Sequence, residues 1–231
     1  MSVPAPRFGG YDCQGRAEFM ISFRPEDAAA RLLVVPPLFE ELNRTRKLLS
    51  DLMRALADHG IASDLPDLPG TGESLTPLEE TDWGGWRQAV VAAGAAADAT
   101  HILAIRGGCL LDDAAGTLPH YRFAPVAGKN LLRDLVRARA LGDKAFDKPA
   151  QQAVYDQTTL LGGYPVSAGM ARALRDAEPS DVPSLRTARL ESDLTEAEDR
   201  IPGAAPWRRA EPGAWPDATA TIARNIIAWT R

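Results

Sequence analysis

Cysteine and histidine are scarce in this chain of 231 residues: it has two of the first and three of the second. Cys13 and Cys109 make no disulfide framework, and no Cys/His spacing suits a structural zinc, so neither a metal site nor a cofactor is expected. Two thiols fit a reducing compartment, and the expected location is the cytoplasm. No excess of basic residues exists either. The net charge is −5 and the isoelectric point is near 5.3, which argues against a general nucleic-acid-binding surface. No apolar run approaches the ~18 residues of a membrane-spanning helix, and the alanine-rich stretch Ala89–Ala99 is too short. Met1–Gly10 lacks a basic start followed by an apolar run, so no signal peptide is expected. What is present is ordinary for a globular domain, with 45% hydrophobic and 25% charged residues. The length suits one sizeable domain.

Strand and helix patterns alternate along the chain. Ala17–Phe23 alternates as a strand. Arg31–Val35 is a continuous apolar run stopped by Pro36-Pro37, as in a buried parallel strand. Asn43–His59 carries Leu48, Leu49, Leu52 and Leu56 at helical spacing and is stopped by Gly60. A strand is expected over Ile61–Leu65, a helix over Asp82–Asp98, a strand over His101–Ile105, a short helix over Cys109–Ala115 and a strand over Tyr121–Val126. Helices follow over Lys129–Leu141, Ala145–Leu161 and Ser167–Ala177; over residues 128–168 they read as a helical cap inserted into the domain. Leu185–Glu191 and Pro206–Glu211 are the last strand candidates, and Asp217–Thr230 closes the chain as a helix. The expected fold is α/β: a mostly parallel sheet with helices on both faces. Ligand sites in such sheets lie at the carboxyl ends of the strands.

Three segments fall on that edge. Asp67-Leu-Pro-Gly-Thr-Gly-Glu-Ser74 follows a strand, with Gly70 and Gly72 allowing a tight backbone path. It resembles the D-x-P-G-x-G-x-S segment of α/β-hydrolases, where it shapes the sheet edge. Ala104-Ile-Arg-Gly-Gly108 sits in the strand–turn–helix context of the G-x-S-x-G nucleophile elbow. Arg106 occupies the serine position. A guanidinium has five donors and no lone pair, so it cannot attack a carbonyl, whereas it can bind an anion or stabilise an oxyanion. The third segment, Pro36-Pro-Leu-Phe-Glu-Glu-Leu-Asn-Arg-Thr-Arg-Lys47, places Glu40 and Glu41 where they can face Arg106.

Histidine supply decides against an ordinary serine esterase. A triad histidine in an α/β-hydrolase follows the last strand, and residues 121–231 contain none. Loss of a nucleophile or base costs on the order of 10⁶ in rate in a well-studied serine protease. Two uses of the charged segment stay open. One is a structural Arg–Glu pair that fixes the loop. The other is a polar site of Glu40, Glu41 and Arg106, with Asn43, Arg46 and Lys129 as ligand-binding residues; in it a glutamate activates water and Arg106 stabilises the oxyanion. Lys129, Arg133 and Arg137 repeat at helical spacing, which suits a solvated face or an anionic ligand under the cap.

Leu33–Lys47 is similar to the P-P-F-x-E-E-x-N-K-S-R-R segment of the exosortase A system-associated hydrolase 2 family. Ile105-Arg-Gly-Gly-Cys-Leu110 resembles its L-R-A-G-x-L elbow, which also has arginine at the serine position. Pro125-Val-Ala-Gly-Lys-Asn-Leu-Leu132 and Leu161-Gly-Gly-Tyr164 resemble its P-V-x-x-G-K-x-x-L and L-x-G-Y segments. The resemblance covers about residues 31–165; the segment 180–231 matches poorly. It implies an α/β-hydrolase fold and a bacterial role linked to exopolysaccharide production and protein sorting. The expected partner is a small anionic, acyl or glycan ligand, with no nucleic acid and no integral membrane segment; a homo-oligomer stays open.

Overall fold

The computed structural model describes residues 5–231; the first four positions of the stretch read as leader-free lie outside it. Among the described residues, ten strands and six α-helices follow one another. They are β1 Arg7–Cys13, β2 Arg16–Phe23, β3 Ala30–Val35, α1 Glu40–Ala57, β4 Ile61–Pro66, α2 Trp83–Ala96, β5 His101–Ile105, β6 His120–Phe123, α3 Gly128–Gly142, α4 Lys148–Gln152, β7 Thr159–Leu161, β8 Tyr164–Val166, α5 Ala168–Asp176, β9 Leu185–Leu190, β10 Asp199–Ile201 and α6 Pro216–Trp229. Eight strands form one sheet in the order β1-β2-β4-β3-β5-β6-β9-β10. The hairpin β1–β2 and the pair β2–β4 are antiparallel, and every pairing from β4 to β10 is parallel.

Burial on both faces explains the unbroken apolar run of β3. Leu33 and Val35 face one core, with Trp86 and Ala93 of α2, Leu131 and Leu135 of α3, and Leu174 of α5. Leu32 and Val34 face the other, with Leu48, Leu52 and Leu56 of α1 and Ile222 and Ile226 of α6. The expected α/β architecture with helices on both faces is therefore present. Among the described residues, no helix is long and apolar enough to cross a membrane.

One strand, β1, was not expected, and three local expectations need correction. β1 carries Gly9-Gly10, which hides its strand character; Gln14 and Gly15 at φ 57° and 78° turn it back onto β2. The helix expected over Ala145–Leu161 is instead the short α4, a 3₁₀ turn and the hairpin β7–β8. Gly162 and Gly163, at φ 57° and 92°, make the hairpin turn that a helix cannot contain. Cys109–Ala115 is not a helix but two 3₁₀ turns, Arg106–Leu110 and Asp112–Ala115. Pro206–Glu211 is not a strand either. Pro206–Arg208 is a 3₁₀ turn whose Pro206 and Trp207 are buried, and β10, beside β9, is the last strand.

Candidate functional site at the carboxyl edge of the sheet

Strand register assembles the site. Val35 of β3 stands beside Ala104 of β5, and Ile105 of β5 beside Phe123 of β6. Arg106 and Ala124, which leave β5 and β6, are therefore level, and Pro36, which leaves β3, is level with Ile105. The turn after β5 is forced against the end of β3: a Cβ on Gly108 would lie 2.3 Å from the Val35 oxygen and 2.6 Å from the Pro36 oxygen. Only glycine fits that approach. Three residues without glycine's freedom take positive φ at these strand ends: Phe39 at 55°, Arg106 at 54° and Ala124 at 50°. Each such backbone costs on the order of 1–3 kcal/mol, and strain of this kind concentrates at functional sites.

Arg106 is held from three sides. Its Nε and Nη2 donate side-on to the Glu41 carboxylate, at 3.1 Å to Oε2 and 2.8 Å to Oε1. Its Nη1 donates to the Ala124 carbonyl at 3.2 Å. The guanidinium carbon lies 4.2 Å from the centre of the Trp207 ring, a cation–π contact. Only 13% of the Arg106 side chain and 14% of the Glu41 side chain are exposed. Five N–H groups less these three leave one N–H on each Nη without a protein acceptor. Burial pushes the Glu41 carboxyl above its usual range although Arg106 pulls it down.

Glu40, the other glutamate, does not reach Arg106. It lies nearer solvent, 3.3 Å from Arg44 Nε, and accepts a 3.4 Å hydrogen bond from the Tyr164 hydroxyl. Asn43 donates to that hydroxyl at 3.0 Å, so Asn43, Tyr164 and Glu40 form a chain beside the site. Burial first, and then the Glu40 charge, push the Tyr164 hydroxyl up to about 12. Two expected ligand residues lie elsewhere. Arg46 lines a separate apolar groove of about 670 Å³ with Phe19, Phe23 and Met53, because its position on α1 points it toward β2. Lys129 pairs with Glu178 at 3.0 Å on the exposed start of α3. Sequence reasoning missed Trp207, Arg208 and Tyr164; Tyr164, just after the glycine pair of the hairpin, had a signal in Leu161-Gly-Gly-Tyr164, while Trp207 arrives from a distant loop.

The histidines are engaged away from Arg106. His59 Nδ1 lies 3.0 Å from the Ala55 carbonyl. His101 sits beside the Thr100 hydroxyl and edge-on to Trp229. His120 is fully buried, its ring nitrogens beside the carbonyls of Leu118 and Asp112. Cys109 is also fully buried, and desolvation raises its thiol pKa well above the usual value, which suits packing and not nucleophilic chemistry. No group of three or more His, Cys, Asp or Glu side chains among the described residues is arranged to hold a metal ion.

The cleft around Arg106 has two arms. One, of about 480 Å³, runs between the start of α1 and α3. The other, of about 750 Å³, runs between α3 and the loops that follow β9 and β10. Arg106, Asp134, Trp207 and Arg208 line both.

The fold is similar to that of solved esterases and hydrolases. Est1E from Butyrivibrio proteoclasticus, with ferulic acid bound, is 14% identical over 95% of this chain and 96% of its own, with a TM-score of 0.67. A thermophilic esterase from Thermogutta terrifontis, with malate bound, is 13% identical over 97% of each chain, with a TM-score of 0.60. A soluble variant of monoglyceride lipase from Saccharomyces cerevisiae is 14% identical over 100% of this chain and 96% of its own, with a TM-score of 0.56. The chain thus has the α/β-hydrolase fold. No protein-family profile matches the sequence. No curated protein sequence matches it either, so the narrower resemblance rests on its short segments.

Proposed function

We propose that this chain is an α/β-hydrolase-fold binding protein that lacks the Ser-His triad and uses the elbow to present Arg106. The observation that carries this reading is the side-on Arg106–Glu41 pair at the turn after β5. An arginine there supplies donors and a fixed positive charge in place of a nucleophile. The two spare N–H groups of Arg106 suit a carboxylate or phosphate oxygen. In this reading the segment 128–168 acts as the cap over the cleft. The segment similarity to the exosortase A system-associated hydrolase 2 family supports an accessory role in a bacterial exopolysaccharide or exosortase-type system, in the cytoplasm.

One observation favours a second reading, an atypical hydrolase. Burial raises the Glu41 carboxyl, which moves it toward the range of a general base, with Arg106 as the oxyanion stabiliser and Glu40 at the mouth. A panel of p-nitrophenyl esters and phosphates, run on the wild type and Arg106→Ala, separates the two. The binding reading expects no turnover above background from either protein. Turnover by the wild type that disappears in Arg106→Ala would defeat it.

A further inference from the structure

The two arms of the cleft differ in chemistry. In the first, charges are closed into pairs, Arg44 with Glu40 and Arg106 with Glu41, and exposed Arg137 stands beside them. Asp134 and Arg208, shared with the second arm, stand at its edge, and the rest of its wall is apolar: Leu38, Phe39, Leu131, Leu135 and Leu141. Leu141 is 83% exposed, which leaves its side chain without a packing partner of its own. In the second arm four arginines, Arg106, Arg133, Arg208 and Arg209, face two aspartates, Asp134 and Asp193. Asp193 is already committed. Its burial alone would raise its pKa, yet hydrogen bonds from Thr195 and Arg189 hold it down to about 2. Arg133 reaches Asp134 only at 4.0 Å, and Arg209 donates only to the Ala214 carbonyl at 3.4 Å. Arg208, which lines both arms, makes no ion pair with any described residue.

We infer that the cleft binds a single-chain anionic amphiphile, with its phosphate or carboxylate head among Arg133, Arg208 and Arg209 in the second arm and its alkyl tail in the first. This rests on the binding reading of the Arg106 cleft and names the class of ligand. Each arm has the size of a small-molecule site, about 300–1,000 Å³. The head group gains charge-assisted hydrogen bonds from arginines that lack strong partners. The tail gains about 0.8 kcal/mol for each methylene removed from water. Arg106 and Trp207 form the shared wall where head and tail meet.

The test is calorimetric titration of the full chain with dodecyl phosphate below its micelle concentration. Inorganic phosphate and dodecyltrimethylammonium serve as comparators. The variants are Arg208→Glu with Arg209→Glu, which changes only exposed side chains, and Ala138→Trp, an exposed α3 position that lines the first arm. Dodecyl phosphate binds the wild type at least about a hundredfold more tightly than inorganic phosphate, because only it buries a tail. Each variant weakens it by at least about tenfold. Absence of binding, equal binding of dodecyltrimethylammonium, or unchanged binding by both variants overturns the proposal. Inorganic phosphate binding as tightly as dodecyl phosphate, and losing its affinity in Arg106→Ala, overturns the amphiphile and leaves the binding reading standing. Release of inorganic phosphate from dodecyl phosphate by the wild type overturns the binding reading itself.

Discussion

Arg106 and Glu41 are 65 positions apart and meet through a 2.8 Å bond from Nη2 to Oε1 that ties the turn after β5 to the first turn of α1. The two partners are not equivalent. A carboxyl can escape burial by taking a proton, and a guanidinium cannot lose one.

That asymmetry predicts unequal costs of mutation. Glu41→Leu strands a buried, permanently charged guanidinium and lowers unfolding free energy by about 3–5 kcal/mol. Arg106→Met leaves a glutamate that burial already pushes toward neutrality, so it costs less, and the cost shrinks between pH 7 and pH 5. The double variant recovers most of the loss, as buried pairs replaced by apolar residues do. Denaturant unfolding at the two pH values checks all three. Equal costs for the single variants at both pH values would refute the asymmetry.

Glu41 also predicts a pH dependence. Its carboxyl is raised above the ordinary 4.5 in the folded chain. Between those two values the folded state binds more protons than the unfolded state, so stability falls as pH rises through that window. The contribution is favourable to folding below pH 4.5 and lost above the raised value. Subtracting the stability–pH curve of Glu41→Gln from that of the wild type therefore gives a negative slope beginning near pH 4.5. A flat or rising difference curve is the contrary result.

Gly108 is predicted to be irreplaceable at the elbow. An alanine Cβ there would press on two backbone oxygens, of Val35 and Pro36, which have no rotamer to yield. Gly108→Ala costs about 3 kcal/mol or more, read as a lowered midpoint in urea or as loss of soluble protein. Gly142→Ala, where a Cβ meets nothing within 4 Å, is the control and leaves the midpoint nearly unchanged.

Two ion pairs of similar length separate burial from proximity. Arg122 and Asp112 are bonded side-on at 2.7 and 2.9 Å with at most 4% of either side chain exposed. Lys129 and Glu178 lie 3.0 Å apart with more than half of each side chain exposed. Asp112→Ala costs about 3–5 kcal/mol because it leaves an uncompensated buried charge. Glu178→Ala costs about 0–1 kcal/mol, and that small effect vanishes in high salt. Thermal unfolding of the two variants, with and without added salt, measures both.

Periodicity made most of the fold legible. Arg31–Val35 announces a strand buried on two faces, and Leu48, Leu49, Leu52 and Leu56 mark the buried stripe of α1, since burial selects residues at the period of the element. The elements read wrongly are those that turn chemistry governs: Gly162-Gly163 makes a hairpin where the neighbouring residues suit a helix, and Gly9-Gly10 dilutes the strand signal of β1. The site divides in the same way. Arg106 was visible because the glycine pair that follows it, Gly107-Gly108, marks the elbow locally. Its choice of Glu41 over Glu40 was not: adjacent residues on a helix point about 100° apart, and only the packing of α1 against the sheet selects which one faces inward. Trp207, which covers the other side of Arg106, comes from a loop about a hundred residues away, beyond the reach of any local pattern. By itself, then, the sequence determined the layered α/β architecture and the charged elbow, because those depend on short-range periodicity and on glycine geometry. Tertiary structure alone decided the Arg106–Glu41 pairing, the Trp207 wall and the two-armed cleft, because strand register and helix rotation bring those residues together from across the chain.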